Sequence, residues 1–412
     1  MRAVILSIGD ELVSGLRLDT HSADISRALT AIGIEVVRHE TVGDGAAGIE
    51  QAFRAAVAEA DLVVATGGLG PTLDDCTREA LAAAAGVPLD ESAEAREHLA
   101  AWAKARGRTL SESNFRQALL PRGAKTVPNP IGTALGIEAR VGKALVFVMP
   151  GVPAEMTRML AEELLPRLRR AAPGRATIIR TVRTYGLPES IVGEKLADLM
   201  APGRRPHVGT AVHGGMIDVH IYATGAPEEI EPLLEADAAA VRRRLGDAVF
   251  GEDRERLEDA VAALLARRRA RLALAESCTG GLVAAKLENV PGISEFLLEG
   301  VVCYADASKV RTVGVPEDLI RARGAVSEPV ARAMAEGVRA GSRASIGLGV
   351  TGIAGPAGGT PEKPVGLVWF AVADEKGVVA EKEIFSGDRA LIRERAANHA
   401  LNMLRLRLLQ GY

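Results

Sequence analysis

From Arg2 onward short apolar runs alternate with amphipathic ones, and this alternation limits the fold more than any other feature of the chain. Residues 3–8, 35–40 and 61–66 read as strands, with helices expected around 22–32 and 49–59 between them. Repeated strand–helix units return each strand to the same sheet in the same direction, so a mostly parallel, right-handed α/β sheet is expected. A further strand at 144–149 meets Pro150-Gly-Val-Pro153 and an amphipathic helix reaching about Arg170, which closes a first domain. Ala171-Ala-Pro-Gly-Arg175 reads as a linker by its Pro and Gly content.

The chain has 412 residues, more than one hydrophobic core usually organises, so two or three domains are expected. Residues 177–251 have a different rhythm. A strand, a helix at 189–200, a Pro/Gly/Arg loop, a hairpin-like pair at 207–212 and 216–223 turning at Gly214-Gly215, and a long helix from Glu228 make a small α+β module. A third domain starts with a helix at Leu257 that ends in arginines. It continues through strands at 298–304, 344–351, 366–373 and 378–385 to a terminal helix from about Arg389.

A formal net charge of -3 gives no strong pull toward nucleic acid or acidic membranes. The clusters Arg242 to Arg244 and Arg267 to Arg269 lie on helical patterns and read as solvated faces. The three cysteines lack zinc-like pairing and suit a reducing compartment. Residues 1–9 are a short apolar strand without a small-residue cleavage site, and no apolar run reaches the ~18 residues of a membrane span. The expectation is a soluble, cytoplasmic protein with no membrane partner.

In Arg271-Leu-Ala-Leu-Ala-Glu-Ser-Cys-Thr-Gly-Gly281 an apolar strand runs into Ser277 on a glycine turn that opens a helix. Such a turn lifts a nucleophile out of the sheet and aims helix N-terminal N–H groups at the reacting atoms. A serine needs a base. Of seven histidines the third domain holds only His399, placed mid-helix, so a Ser-His-Asp triad is not expected. A lysine can serve instead. Lys309 is best placed, just past a strand, with Tyr304 five residues earlier as a relay or orienter; Lys286 would lie about 13 Å from Ser277 along its helix. Cys278 is a rival nucleophile or a small buried residue. Val350-Thr-Gly-Ile-Ala-Gly-Pro356 could cradle an oxyanion or phosphate. Arg389 and Arg393, at i, i+4, could clamp a phosphate, or else Asp388 simply caps a helix with surface arginines.

These residues carry a resemblance. Glu276-Ser-Cys-Thr-Gly-Gly281, Gly324-Ala-Val-Ser-Glu-Pro329, Gly352-Ile-Ala-Gly-Pro356, Lys363-Pro-Val-Gly366 and Phe385-Ser-Gly-Asp-Arg389 resemble the ordered blocks of the CinA C-terminal domain, a nicotinamide-nucleotide amidase family. The resemblance implies hydrolysis of nicotinamide mononucleotide to nicotinate mononucleotide and ammonia without a cofactor. It implies Ser277 as nucleophile, Lys309 as general base and Tyr304 as auxiliary, with Thr279, Gly280, Thr351, Gly352, Arg389 and Arg393 at the substrate.

The first domain has its own constellation. Ile8-Gly-Asp-Glu-Leu12, Val42-Gly-Asp-Gly45 and Thr66-Gly-Gly-Leu-Gly-Pro-Thr-Leu-Asp-Asp-Cys-Thr77 each follow a predicted strand, where open α/β sheets place their ligand crevice. Gly67, Gly68 and Gly70 permit close approach to an anion, while Asp10, Asp44, Asp74 and Asp75 would repel phosphates unless a hard cation such as Mg²⁺ bridges them. Taken singly, the aspartates also suit turns and caps. With Met149-Pro-Gly-Val-Pro-Ala-Glu-Met156 these blocks resemble the molybdopterin-binding fold at the N-terminus of CinA proteins. Leu69 and the pair Asp74-Asp75 depart from the molybdenum-cofactor branch, and the CinA branch implies a metal-dependent ADP-ribose pyrophosphatase. Asp75 and Asp44 would hold the divalent metal, with Asp10, Thr72, Asp74 and Glu155 at the nucleotide site.

The resemblance therefore implies three parts: residues 1–170 as a three-layer molybdopterin-binding-like α/β domain, 176–251 as a KH-like α+β module, and 254–412 as an α/β amidase domain. It also implies a homodimer. The module has no Gly-X-X-Gly loop between paired helices and no basic run, so RNA binding is not inferred. Two alternatives stay open: a first domain that binds molybdopterin, and a competence or DNA-damage interaction protein.

Overall fold

The structure is a computed structural model describing residues 1–171 and 174–411. Residues 172 and 173 of the linker read from the sequence lie outside the described residues. The chain forms two compact units, Met1–Ile178 with Ala223–Glu231, and Ile179–Tyr222 with Pro232–Tyr412.

In the first unit the strands are β1 (Arg2–Ile8), β2 (Glu35–Val42), β3 (Leu62–Thr66), β4 (Leu89–Glu91), β5 (Leu119–Pro121), β6 (Lys125–Val127), β7 (Gly136–Val141) and β8 (Ala144–Met149). The main sheet runs β2-β1-β3-β8-β7-β6. Its first four strands pair in parallel, and β7 and β6 add antiparallel. Side chains of β1 alternate between two cores. Val4, Leu6 and Ile8 pack toward the helices Ala46–Glu59 and Thr77–Ala85, while Ala3 and Ile5 pack toward His21–Ala31 and the helical run from Pro153. Both faces are covered, giving three layers, as a parallel sheet requires. Register places Ile8 beside Val42 and Ser7 beside Thr66, so the glycine- and aspartate-bearing loops leave the carboxyl end of the sheet together.

The middle sheet runs β10-β11-β9-β12, with β9 Ala176–Tyr185, β10 His207–His213, β11 Met216–Gly225 and β12 Val249–Glu252. His213 pairs with Met216 across Gly214-Gly215, both at positive φ, which is the two-residue turn that suits twisted strands. The helix expected at 189–200 ends at Lys195; residues 196–200 finish as turns, with the Met200 N–H on the Leu196 carbonyl at 3.0 Å. Pro202 bars any continuation of that last turn.

The C-terminal sheet has β13 (Leu272–Glu276), β14 (Leu297–Val302), β15 (Ile346–Gly352), β16 (Leu367–Asp374) and β17 (Gly377–Ile384) in the order β14-β13-β15-β16-β17. The first three strands pair in parallel and the last two antiparallel. One face is covered by helices Leu257–Arg268, Leu282–Glu288 and Arg389–Gln410, the other by Asp306–Val313, Glu317–Arg323 and Glu328–Ser342. The last of these lies close on β15 through glycine. A Cβ on Gly347 or Gly349 would come within 2.1 or 2.4 Å of the Ala335 or Ala331 carbonyl oxygen. The helix Arg389–Gln410 also meets the hairpin of the middle sheet, where Asn398 donates to the Gly214 carbonyl at 3.0 Å.

Candidate active site

Ser277 follows β13 directly and is held on both sides. Its N–H donates to the Val350 carbonyl at 2.9 Å, and its carbonyl accepts the Gly280 N–H at 3.0 Å. The turn back into the next helix puts Gly280 at φ +62 and Gly281 at φ +88, conformations that side chains rarely adopt. Lys309 reaches the same point from the first turn of Asp306–Val313. Its Nζ donates to Ser277 Oγ at 3.2 Å and to the Tyr304 carbonyl at 3.0 Å, and Asp306 stands 3.7 Å away. Lys309 is 1% exposed and Ser277 7%.

The residues beside Ser277 hold its turn in place. Glu276, also buried, accepts the N–H groups of Val283 at 3.1 Å and Ala284 at 2.9 Å. The helix-start donors expected to face the reacting atoms are therefore occupied. Among the described residues the N–H groups of Cys278, Thr279 and Gly281 donate to no backbone carbonyl, and those of Cys278 and Thr279 face the Cys278 sulfur, so main-chain donors near Ser277 belong to the turn rather than the helix. Burial pushes the Cys278 thiol up to about 12.

Two arginines from the last helix bracket this turn. Asp388 caps that helix through the Leu391 N–H at 2.8 Å. Arg389 donates to the Gly355 carbonyl at 2.7 Å and to Tyr304 Oη at 2.8 Å, while Arg393 grips the Thr279 carbonyl at 3.2 and 2.8 Å. The cap read from the sequence is present, and both arginines donate to protein oxygens of the serine turn, the Gly355 loop and Tyr304.

At the carboxyl end of the first sheet, Glu11, Asp44, Asp74, Asp75 and Glu155 line one cavity of about 420 Å³ with Gly67, Gly68 and Gly70. Gly67 and Gly68 have no room for a side chain: a Cβ would lie 2.1 Å from the Ile8 carbonyl oxygen or 2.0 Å from Thr77 Oγ1. Asp10 and Asp44 exchange hydrogen bonds, each carboxylate accepting the other's N–H at 2.9 and 3.0 Å. Burial raises Asp44 above the usual carboxylate range, opposed by the Asp10 N–H and reinforced by the charges of Asp10, Glu11 and Asp74. Asp75 accepts both the N–H and the hydroxyl of Thr72. Glu155 accepts the Asn129 amide at 2.7 Å.

Three stretches of the chain match family models: residues 4–170 match "Probable molybdopterin binding domain", 179–251 "Damage-inducible protein CinA KH domain", and 254–408 "CinA C-terminal domain". A CinA-like protein of Citrifermentans bemidjiense is 45% identical over 99% of this chain and 98% of its own length, and one from Anaeromyxobacter sp. is 45% identical over 98% of each. The chain belongs to the CinA family. A solved CinA structure from Thermoplasma acidophilum, described as of unknown function, is 35% identical and covers 42% of this chain and 97% of that one, with a TM-score of 0.37.

In this CinA chain Ser277, Lys309, Tyr304, Thr279, Gly280, Arg389 and Arg393 are linked by contacts around one turn. Thr351 is buried, and its hydroxyl goes to the Ala325 carbonyl at 2.9 Å, which ties β15 to the Gly324–Pro329 block. Gly352 packs on Val368. His399 bonds Glu381 at 2.8 Å and lies against Phe370, and Lys286 bonds Glu394 at 2.6 Å, so both have partners other than Ser277. In the first unit Asp10 and Thr72 support Asp44 and Asp75.

Sequence reasoning missed Arg78, which is 2% exposed and donates to the Leu69 and Gly70 carbonyls at 2.8 Å each, and Gln117, which donates to Leu69 at 3.1 Å. They fix the glycine loop from below. An arginine entering an alanine-rich helix directly after that loop was the available signal.

Proposed function

We propose that the C-terminal domain hydrolyses the carboxamide of nicotinamide mononucleotide, giving nicotinate mononucleotide and ammonia. The observation that carries this reading is the 3.2 Å contact between Lys309 Nζ and Ser277 Oγ, where among the described residues no histidine bonds the serine and His399 bonds Glu381 instead. Lysine accepts a proton as the free amine; in that form Lys309 takes the Ser277 proton as Oγ attacks the carboxamide carbon. Turn N–H groups hold the tetrahedral oxyanion. Lys309 then passes the proton to the departing nitrogen, ammonia leaves, and water resolves the ester. Arg389 and Arg393 keep guanidinium N–H groups beyond those used on Gly355, Tyr304 and Thr279, which suits the ligand's phosphate.

For the N-terminal domain the reading is a divalent-metal-dependent ADP-ribose pyrophosphatase yielding ribose 5-phosphate and AMP. Its support is five carboxylates on one cavity beside a glycine loop too tight for side chains. Among the described residues no three acidic, His or Cys side chains form a ready-made metal cage. That donor set fits a cation held by one or two carboxylates plus water and substrate oxygens, as Mg²⁺ commonly is. Asp75 and Asp44 would hold it, and when bound it would neutralise pyrophosphate charge. The glycine loop admits the anion, and Arg78 and Gln117 keep that loop in place.

Product analysis by NMR with both substrates tests the pair of readings. Ammonia and nicotinate mononucleotide should form with or without EDTA, whereas ADP-ribose cleavage should stop on chelation. Pterin binding at the first domain, with no Mg²⁺-dependent action on ADP-ribose, would favour the molybdopterin alternative. A protein active on neither substrate would favour the interaction-protein alternative.

A further inference from the structure

We infer that Glu276 is the positioning residue of the serine–lysine pair, an inference that rests on the amidase reading and concerns how its base is held. Glu276 is the residue before the nucleophile, yet its side chain is 1% exposed and turned away from solvent. Both carboxylate oxygens are committed: Oε2 accepts the Val283 N–H and Oε1 the Ala284 N–H. These are the second and third residues of the helix Leu282–Glu288, whose cap position is Gly281, a residue with no side chain to offer. The carboxylate thus replaces the missing cap from five residues upstream and closes the loop 277–281 into a fixed shape.

The main chain of the same residue acts on the other partner. The Glu276 carbonyl accepts the Cys303 N–H at 2.9 Å and faces Cys303 Sγ at 3.6 Å. Cys303 immediately precedes Tyr304, whose carbonyl accepts Lys309 Nζ at 3.0 Å. One residue therefore anchors the turn that presents Ser277 and the segment that delivers Lys309, and it sets the 3.2 Å separation between Oγ and Nζ. Displacements near 1 Å at such a contact can lower rates by about 10²-fold.

The reactivity of Ser277 toward a fluorophosphonate tests this without any nucleotide. The Oγ–P bond forms, the P–F bond breaks, fluoride leaves, and the serine proton passes to Lys309. Glu276→Ala should label at Ser277 about 10²-fold more slowly than wild type. Glu276→Gln, which keeps one acceptor oxygen, should fall between the two and carries the test if the alanine variant does not fold. In a Lys309→Ala background Glu276→Gln should lower labelling by a clearly smaller factor than in wild type, because the Oγ–Nζ contact that the turn holds in place is then already lost. Equal losses in both backgrounds, or wild-type labelling in both Glu276 variants, would overturn the inference. Wild-type protein that labels at Ser277 but releases no ammonia from nicotinamide mononucleotide would overturn the substrate reading and leave the positioning role standing.

Discussion

Ser277 and Cys278 are separated by one peptide bond, and both are buried. The serine hydroxyl meets a lysine amine, while burial pushes the thiol up to about 12. The charged form of a thiol with a raised pKa appears only as pH approaches that value, so at neutral pH Cys278 stays protonated and packs as a small apolar group. Iodoacetamide at neutral pH should leave ammonia release unchanged, with Cys278 alkylation appearing only in strongly alkaline solution; peptide mass mapping across pH checks this. Cys278→Ala should keep turnover within a few-fold. Lys309→Ala should lower kcat roughly 10²–10⁴-fold. Lys309→Arg should not rescue it, since a guanidinium does not give up its proton in this range.

At the scale of elements, the helix Glu328–Ser342 is pressed against its surroundings by glycine. A Cβ on Gly337 would fall 1.7 Å from the Val313 carbonyl oxygen, at the end of the helix that carries Lys309. Gly337→Ala should destabilise the fold by about 1–3 kcal/mol and lower the urea midpoint, because backbone on both sides must shift. The strands and helices whose apolar period is unbroken were legible in the sequence: the alternation through residue 66, the strand into Ser277, and the glycine hairpin at 214–215. Three helices between Asp306 and Ser342 were not. In Glu328–Ser342 the period is present, with Val330, Met334 and Val338 at i, i+4 and i+8, and was missed; Asp306–Val313 and Glu317–Arg323 are too short to show one and give the shared core little beyond Val313 and Ile320. Lys309 was preferred among the lysines for its place past a strand, yet its position on a helix was invisible for the same reason. The role of Glu276 was hidden for another. Its partners are backbone N–H groups seven and eight residues away, and no side-chain pattern records them.

At the scale of the whole molecule, the two candidate sites lie in separate compact units, each built at the carboxyl ends of parallel strands. Their chemistries differ in the same way as their residues: one is rich in carboxylates, the other holds a buried amine beside a hydroxyl. Asp75→Asn should therefore abolish ADP-ribose cleavage and leave ammonia release intact, and assays of both substrates on that one variant check it. The most direct measurement of the central claim is steady-state ammonia release from nicotinamide mononucleotide by wild-type protein and by Ser277→Ala, with circular dichroism confirming that both are folded. The wild type should turn over, and the folded variant should release no ammonia above background. Undiminished release by folded Ser277→Ala, or none by the wild type, would contradict the assignment.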